Sequence, residues 1–348
     1  MSDNKFISKN EALTDSSYIE WLSELKVRFR RAQSKAAVKV NNEMLSFYWS
    51  LGHDMVTRNV EFVYGKNIMA NLSMDLRDMF PGVTGFSVDN LYFMKRWYLF
   101  YSQDNTIFDQ LGQKFVLPEK FALLPWRHHI EIIRKCKTIA EALFYIDKTI
   151  EGNWSRRMLE SQLSSELFKR QGAALTNFDA QLPLPQGLLA QEILKDPYNF
   201  EFLTMKEGYD EMELEDALIK NITRFLLELG KGFAFVGRQI ELRMENGKSF
   251  FPDLVFYHTK LKAYIIIELK VVEYIPEFAG KLNFYVTAAD KLLRGKDDNP
   301  SIGLIICKSS DKTIVEWSFD GINKPLGVAT YQLEEVIERT TKEIESRK

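Results

Sequence analysis

Residues 250–271, FFPDLVFYHTKLKAYIIIELKV, place two acids and a base where apolar strands are expected. Alternation along the strand 263–270 puts Ile266, Glu268 and Lys270 on one face and Ile265, Ile267 and Leu269 on the other. An acid and a base that share the end of a strand face are either solvated or a site. With Asp253 at the head of the preceding strand, a site would have definite chemistry. Two carboxylates in one cleft repel each other unless a cation holds them, and hard oxygen ligands select Mg2+ or Mn2+. Such an ion polarises a phosphate ester and lowers the pKa of a bound water. Lys270, two residues beyond Glu268, can orient that water and neutralise charge developing in the transition state. As surface features, the same residues would be an ion pair on an edge strand and a turn aspartate.

The neighbouring elements must position these groups. FAFVGRQIELRM and SFFPDLVFY flank ENGK, whose Asn246-Gly247 signals a hairpin, and AYIIIELK follows as a third strand. The helix EMELEDALIKNITRFLLELG precedes them and is closed by Gly230. Pro276 suits the first helical position of PEFAGKLNFYVTAADKLL. SIGLIICK is a further apolar strand, and TIVEWSF and GVATYQL are expected to extend the sheet. On the first of these helices Glu215 lies in line with Ile219, Ile222 and Leu226, at the edge of a buried stripe within reach of the sheet. Its other meaning is a helix-start acid that favours the dipole. Glu211 and Glu213 project from other registers or nearer the helix end. Lys281 and Tyr285 share a face of the later helix with Asn283 close by, suited to phosphate oxygens or to plain solvation. Gln239 and Glu241 are either site neighbours or polar residues of the sheet surface.

The first half of the chain has a different character. Residues 17–51 keep apolar residues at helical spacing without Gly or Pro, giving one long helix or two abutting ones. NIMANLSMDLRDMF breaks at PGVTGF and restarts behind Ser87, a good N-cap, which is the helix-turn-helix pattern. Ser155 caps RRMLESQLSSELFKR in the same way. Arg31, Lys35 and Lys39 recur every four residues with Arg28 one turn before; Lys95, Arg96, Arg156 and Arg157 add cations at later helices. Such a stripe is a solvated face, a protein or self-association surface, or a set of phosphate contacts.

The bulk numbers agree with two kinds of domain. The 348 residues carry a net charge of −2, but residues 1–176 hold 24 Lys and Arg against 20 Asp and Glu, and the rest 22 against 28. A basic half suits anion binding and an acidic half suits carboxylate chemistry. The chain lacks an apolar run of about 18 residues or a signal-peptide core, so a cytoplasmic protein without membrane contact is expected. Cys136 and Cys307 form no motif, and the four histidines have no metal-ligand spacing.

The order helix, three strands, helix, strand, with Pro252-Asp253 on the second strand and Glu268-Leu269-Lys270 on the third, resembles the PD-(D/E)XK nuclease superfamily. That resemblance implies an αβββαβ restriction-endonuclease-like fold, catalysis by Asp253, Glu268 and Lys270, and metal ligation by Asp253, Glu268 and the Leu269 backbone carbonyl. It also implies that an acid of the first helix, here Glu215, joins the site. ALIKNITRFLLELGKGFAFVGRQ, PDLVFYHTKL, PEFAGKLNFYV and NPSIGLIICKS are closer still to the bacterial YhcG-like family, and NEMLSFYWSLG, FSVDNLYFMKRWY, LPWRHHIEII and WSRRMLE resemble its helical N-terminal domain. The expectation is a helical DNA- or partner-binding domain at 15–175, a linker or docking segment at 176–200, a nuclease domain at 201–335 and a helical tail at 336–348. The function expected is Mg2+- or Mn2+-dependent DNA cleavage in restriction, repair or mobile-element defence, by a monomer or homo-oligomer. The alternative is a DNA-binding or assembly protein that keeps the fold without cutting.

Overall fold

The structure, a computed structural model, describes residues 16–65, 67–103 and 117–336. It divides into two compact units, Met1–Ser164 and Ser165–Lys348.

The first unit is helical. The uninterrupted periodic run forms one helix, α1 (Ser16–Thr57). It is followed by α2 (Val60–Tyr64), α3 (Ile68–Met79), α4 (Val88–Tyr101), α5 (Glu119–Ala122), α6 (Trp126–Lys135), α7 (Ile139–Gly152) and α8 (Arg156–Ser164). The Ser87 hydroxyl accepts from the Asn90 N–H at the start of α4, and Ser155 accepts from the Met158 N–H at the start of α8. Each supplies one partner to a helix end that lacks them. Leu91, Met94, Trp97 and Tyr101 of α4 are fully buried, and the Trp97 ring meets Trp49, Phe121, Trp126 and His129. His129 is neutral packing: burial pushes its pKa down to about 4 while the ring bonds the Phe121 carbonyl. Among the described residues, those of α1 that are buried lie in its later part, at Leu45, Tyr48, Trp49, Gly52 and Met55. Ile19, Trp21, Leu22, Val27, Phe29 and Val40 are exposed.

Gly52 lets α1 approach α4 closely. A Cβ there would lie 2.5 Å from the Met94 carbonyl oxygen and 2.9 Å from Tyr98 Cβ. Because that oxygen is backbone and cannot rotate away, Gly52→Ala should destabilise the helical unit by about 1–3 kcal/mol despite alanine's better helix propensity. Thermal unfolding of the variant checks this; an unchanged midpoint would mean that the helices can separate freely.

The second unit contains α9 (Leu167–Arg170), β1 (Leu175–Thr176), α10 (Phe178–Gln181), α11 (Leu184–Ile193), β2 (Tyr198–Lys206), α12 (Glu211–Lys220) and α13 (Ile222–Leu229). It continues through β3 (Phe233–Arg238), β4 (Leu242–Arg243), β5 (Ser249–Phe250), β6 (Leu254–His258), β7 (Ala263–Leu269), α14 (Pro276–Leu292), β8 (Ile302–Cys307), α15 (Lys312–Ser318) and β9 (Leu326–Val336). One mixed sheet runs β1-β9-β8-β7-β6-β3, with β2 also on β9. Within it β7, β8 and β9 are parallel, while β3, β6 and β7 are antiparallel. Strand alternation divides the apolar residues between two cores. Ile265, Ile267 and Leu269 pack with α12 and α13, while Ile266 packs with α14. This is the helical domain followed by an αβββαβ restriction-endonuclease-like domain that the motif order requires.

Several local expectations change. The ENGK turn closes only the two-residue ladder β4–β5, and β3 pairs directly with β6 in the main sheet. TIVEWSF is helix α15 rather than a strand: the Asp311 carboxylate caps it by accepting from the Ile314 N–H, and this outweighs a β-branched Thr-Ile-Val start. The expected single helix after residue 210 is interrupted at Asn221. Segment 176–200 lies within the second unit, whose boundary falls at Ser164/Ser165. Its Phe178, Leu182, Ala190, Leu194 and Tyr198 are core residues, and its prolines at 183 and 185 begin α11 rather than mark a loose linker. Residues 337–348 of the expected helical tail lie outside the described residues.

Candidate active site

β6 and β7 pair with Leu254 opposite Ile267, so one step further in the same register Asp253 faces Glu268. There the ladder changes partners. Glu268 Oε1 accepts from the Asp253 backbone N–H at 3.3 Å, and Asp253 Oδ2 accepts from the Leu269 N–H at 2.8 Å. Each carboxylate is thus held by the backbone of the opposite strand, as charge-assisted hydrogen bonds favour. The Lys270 N–H continues onto β8 by bonding the Ile306 carbonyl at 2.8 Å. The site therefore opens where β6 and β7 part, at the C-terminal ends of the parallel strands β7 and β8, where open α/β sheets usually hold ligands.

Glu268 is 1% exposed and Lys270 5%, so this strand end is not solvated. β7 is also interior to the sheet, which removes the edge-strand ion pair. The two residues are 3.8 Å apart, and each has a nearer partner. Lys281 Nζ donates to Glu268 Oε2 at 2.7 Å. Lys270 Nζ donates to Glu211 Oε2 at 2.8 Å and to the Leu269 carbonyl at 2.7 Å, and lies over the Phe278 ring. Burial, and then the Asp253 carboxylate, pushes Glu268 up to about 7 against the pull of Lys281 and Lys270. Burial raises Glu215 too; the Gln239 hydrogen bond opposes this and Asp253 adds to it.

A buried Glu268 whose pKa is raised by burial and by a neighbouring carboxylate is a place where a cation would be stabilising. The Asp253 and Glu268 carboxylates and the Leu269 carbonyl are hard oxygen donors of the kind that suit Mg2+ or Mn2+. Lys281 and Lys270 already bring ammonium groups to Glu268 and to the Leu269 oxygen, so the donors sit where positive charge is wanted. Among the described residues no group of three or more His, Cys, Asp or Glu side chains is placed to hold a metal ion.

The chain matches two families in sequence. Residues 191–347 fit the YhcG PDDEXK nuclease domain, and residues 24–170 fit the DUF1016 N-terminal domain. Both segments are therefore similar to the YhcG-like family of PD-(D/E)XK nucleases. YhcG of Escherichia coli (strain K12) is 29% identical over 336 residues, covering 87% of each chain. Among solved structures, EndoMS in apo form aligns at 13% identity over 37% of this chain and 48% of its own, with a TM-score of 0.25. A repair endonuclease from Pyrococcus abyssi aligns at 15% identity over 37% and 49%, with a TM-score of 0.24. The chain spans about half the length of these two structures.

Within the YhcG-like nuclease domain the outer candidates divide. Glu215 is buried and reaches Asp253 through Gln239, whose side-chain nitrogen donates to Glu215 Oε2 at 2.7 Å and to Asp253 Oδ1 at 3.4 Å. Glu211, set aside on register, is one turn above Glu215 on the same helix face and pairs with Lys270; the four-residue spacing was the available signal. Glu213 instead completes a capping box with Asp210. Lys281 is at the site but bonded to Glu268, with Tyr285 beneath its ammonium. The Tyr285 hydroxyl donates to the Phe251 carbonyl at 3.4 Å. Asn283 is partly buried off the Lys281–Tyr285 face, and among the described residues no hydrogen bond joins its side chain to the carboxylates. Glu241 turns to Ser249 in the small hairpin.

In the DUF1016 domain, Arg31, Lys35 and Lys39 are exposed along α1 and have no ion-pair partner among the described residues. Lys95 is not part of an open cationic face, because it is paired with Glu61. Arg156 is paired with Glu160 at 3.1 Å, whereas Arg96 and Arg157 are exposed. Among the described residues, no helix is long and apolar enough to cross a membrane.

Proposed function

We propose that this protein is a metal-dependent DNA endonuclease. The observation that supports it is the convergence of Asp253 and Glu268 at the ends of β6 and β7, each carboxylate held by the backbone of the opposite segment, with Lys270 buried two residues beyond Glu268. Asp253, Glu268 and the Leu269 carbonyl would hold Mg2+ or Mn2+, which when bound polarises a phosphate oxygen and acidifies a water. Glu211, the Leu269 oxygen and the Phe278 ring fix the Lys270 ammonium, so it can orient a water beside Glu268 and neutralise charge on the reacting phosphate. Lys281 is near enough to pass from Glu268 to a phosphate oxygen, with Tyr285 and Asn283 further along α14.

The deciding experiment is cleavage of linear, branched and single-stranded DNA, and of RNA, with Mg2+ and with Mn2+, beside a Lys270→Ala control. Metal-dependent DNA cutting that the control lacks supports the proposal. No cutting under any condition favours an assembly protein with an unused fold, and equal cutting by the control would take Lys270 out of the catalytic set.

The helical domain is proposed to collect the DNA through Arg31, Lys35 and Lys39, with Arg96 and Arg157 as further cations, in the cytoplasm. The exposed apolar residues of α1 support contact with a protein partner or a second copy. Changing Arg31, Lys35 and Lys39 together to Gln should weaken DNA binding across sequences and reduce the slope of log affinity against log salt by up to about 3, because phosphate contacts release counterions without reading bases. Titrations at several salt concentrations measure this; an unaltered slope would assign the stripe to solvent or protein.

A further inference from the structure

Gln239 is the residue at the site whose task is still open. It follows β3 at a φ of 48°, in the left-handed region that side-chain-bearing residues rarely enter unless their surroundings hold them there. What holds it is the site itself. Its backbone N–H donates to the Asp253 carbonyl at 3.0 Å. Its carboxamide nitrogen has two hydrogens, and the two acceptors in reach are carboxylates on different elements, Glu215 at 2.7 Å and Asp253 at 3.4 Å. Glu215 is almost wholly buried, and its remaining partner, Arg238, is 3.8 Å away and bonded to Asp216 at 2.5 Å.

We propose that Gln239 is a positioning residue that locks Glu215 of α12 to Asp253, so that the first-helix acid and the strand acid present their oxygens to a divalent cation as one set. This rests on the proposal that Asp253 faces a cation. The residue type fits the task. A lysine would cancel the negative charge that attracts the cation, and a glutamate would add a third mutual repulsion. An asparagine is one methylene shorter. A neutral group with two donors fixes both carboxylates and leaves their charge available.

The test is Mn2+ binding by electron paramagnetic resonance on the full chain, together with thermal unfolding. Gln239→Gly removes the carboxamide but suits the left-handed backbone, so its melting midpoint should equal or exceed that of the parent while its Mn2+ dissociation constant rises about tenfold or more. Gln239→Met, which keeps side-chain length and lacks donors, should show the same loss of affinity and carries the test if the glycine variant fails to fold. In a Glu215→Ala background the Gln239→Gly penalty should shrink to about threefold or less, because two residues acting as a unit are not additive. Parent-like affinity in both Gln239 variants, or an equal penalty in the two backgrounds, overturns the proposal. Asp253→Ala distinguishes the deeper failure: Mn2+ binding indifferent to Asp253 removes the cation reading itself, whereas Asp253-dependent binding that ignores Gln239 removes this inference alone.

Discussion

Asp253→Ala and Glu268→Ala should each abolish DNA cleavage and weaken Mn2+ binding while the protein still unfolds cooperatively. Each change deletes a hard oxygen from the pair that faces across β6 and β7, and also relieves the repulsion that raises Glu268. The structural losses are limited. Asp253→Ala frees the Leu269 N–H, and Glu268→Ala releases the partly exposed Lys281, which can turn to water. Lys270→Ala should behave differently, keeping Mn2+ yet losing at least about a hundredfold in rate, the scale of a lost charge-stabilising donor. Glu211→Gln should fall between, since it loosens Lys270 without removing it. Cleavage rates and Mn2+ titrations on the four variants check the set. Unchanged Mn2+ affinity in both carboxylate variants would remove them as ligands, and near-normal turnover by Lys270→Ala would leave that lysine a packing role.

In chelator-treated protein, Glu268→Gln should raise the unfolding midpoint at pH 8 and lose that advantage by pH 5. Burial and Asp253 raise the folded pKa of Glu268 from an ordinary 4.5 to about 7. For an acid raised in this direction, the folded state holds the proton more tightly than the unfolded chain. Its stabilising contribution is complete below about pH 4.5, falls as pH rises toward 7, and is gone above that. An uncharged isostere avoids this loss, so the gain at pH 8 should be on the order of 1–3 kcal/mol, or several degrees. Mg2+ should restore the parent and leave the variant unmoved, because a bound ion stabilises only a protein that binds it. An equal gain at pH 5 and pH 8 would mean that glutamine simply packs better.

What was legible in the sequence was local. Period-two alternation within 263–270 placed Glu268 against Ile267 and Leu269, and the Pro-Asp before an apolar run placed Asp253 at a strand head. Glu211 and Gln239 were harder, because their roles depend on where α12 and the end of β3 meet the sheet, and only tertiary packing sets that. Lys281 was legible as a neighbour but not as the partner of Glu268, since a helix face does not reveal which strand residue it meets. TIVEWSF misled because β-branched residues carry a weak strand preference that a single capping aspartate overrides in a short helix. The prolines of 176–200 had two meanings, and burial of Phe178 and Tyr198 selects the structured one.

The long α1 has a mechanical consequence. Its packed part begins at Asn41, whose side chain donates to the Ala122 and Leu124 carbonyls, whereas Trp21 stands in the open about 20 positions earlier. At 1.5 Å per residue that separation is about 30 Å. A helix without Gly or Pro over 17–51 transmits load along its axis rather than folding back. Whatever grips the outer end of α1 is therefore held at a fixed stand-off from the helical core, and the rod acts as a ruler as much as a surface.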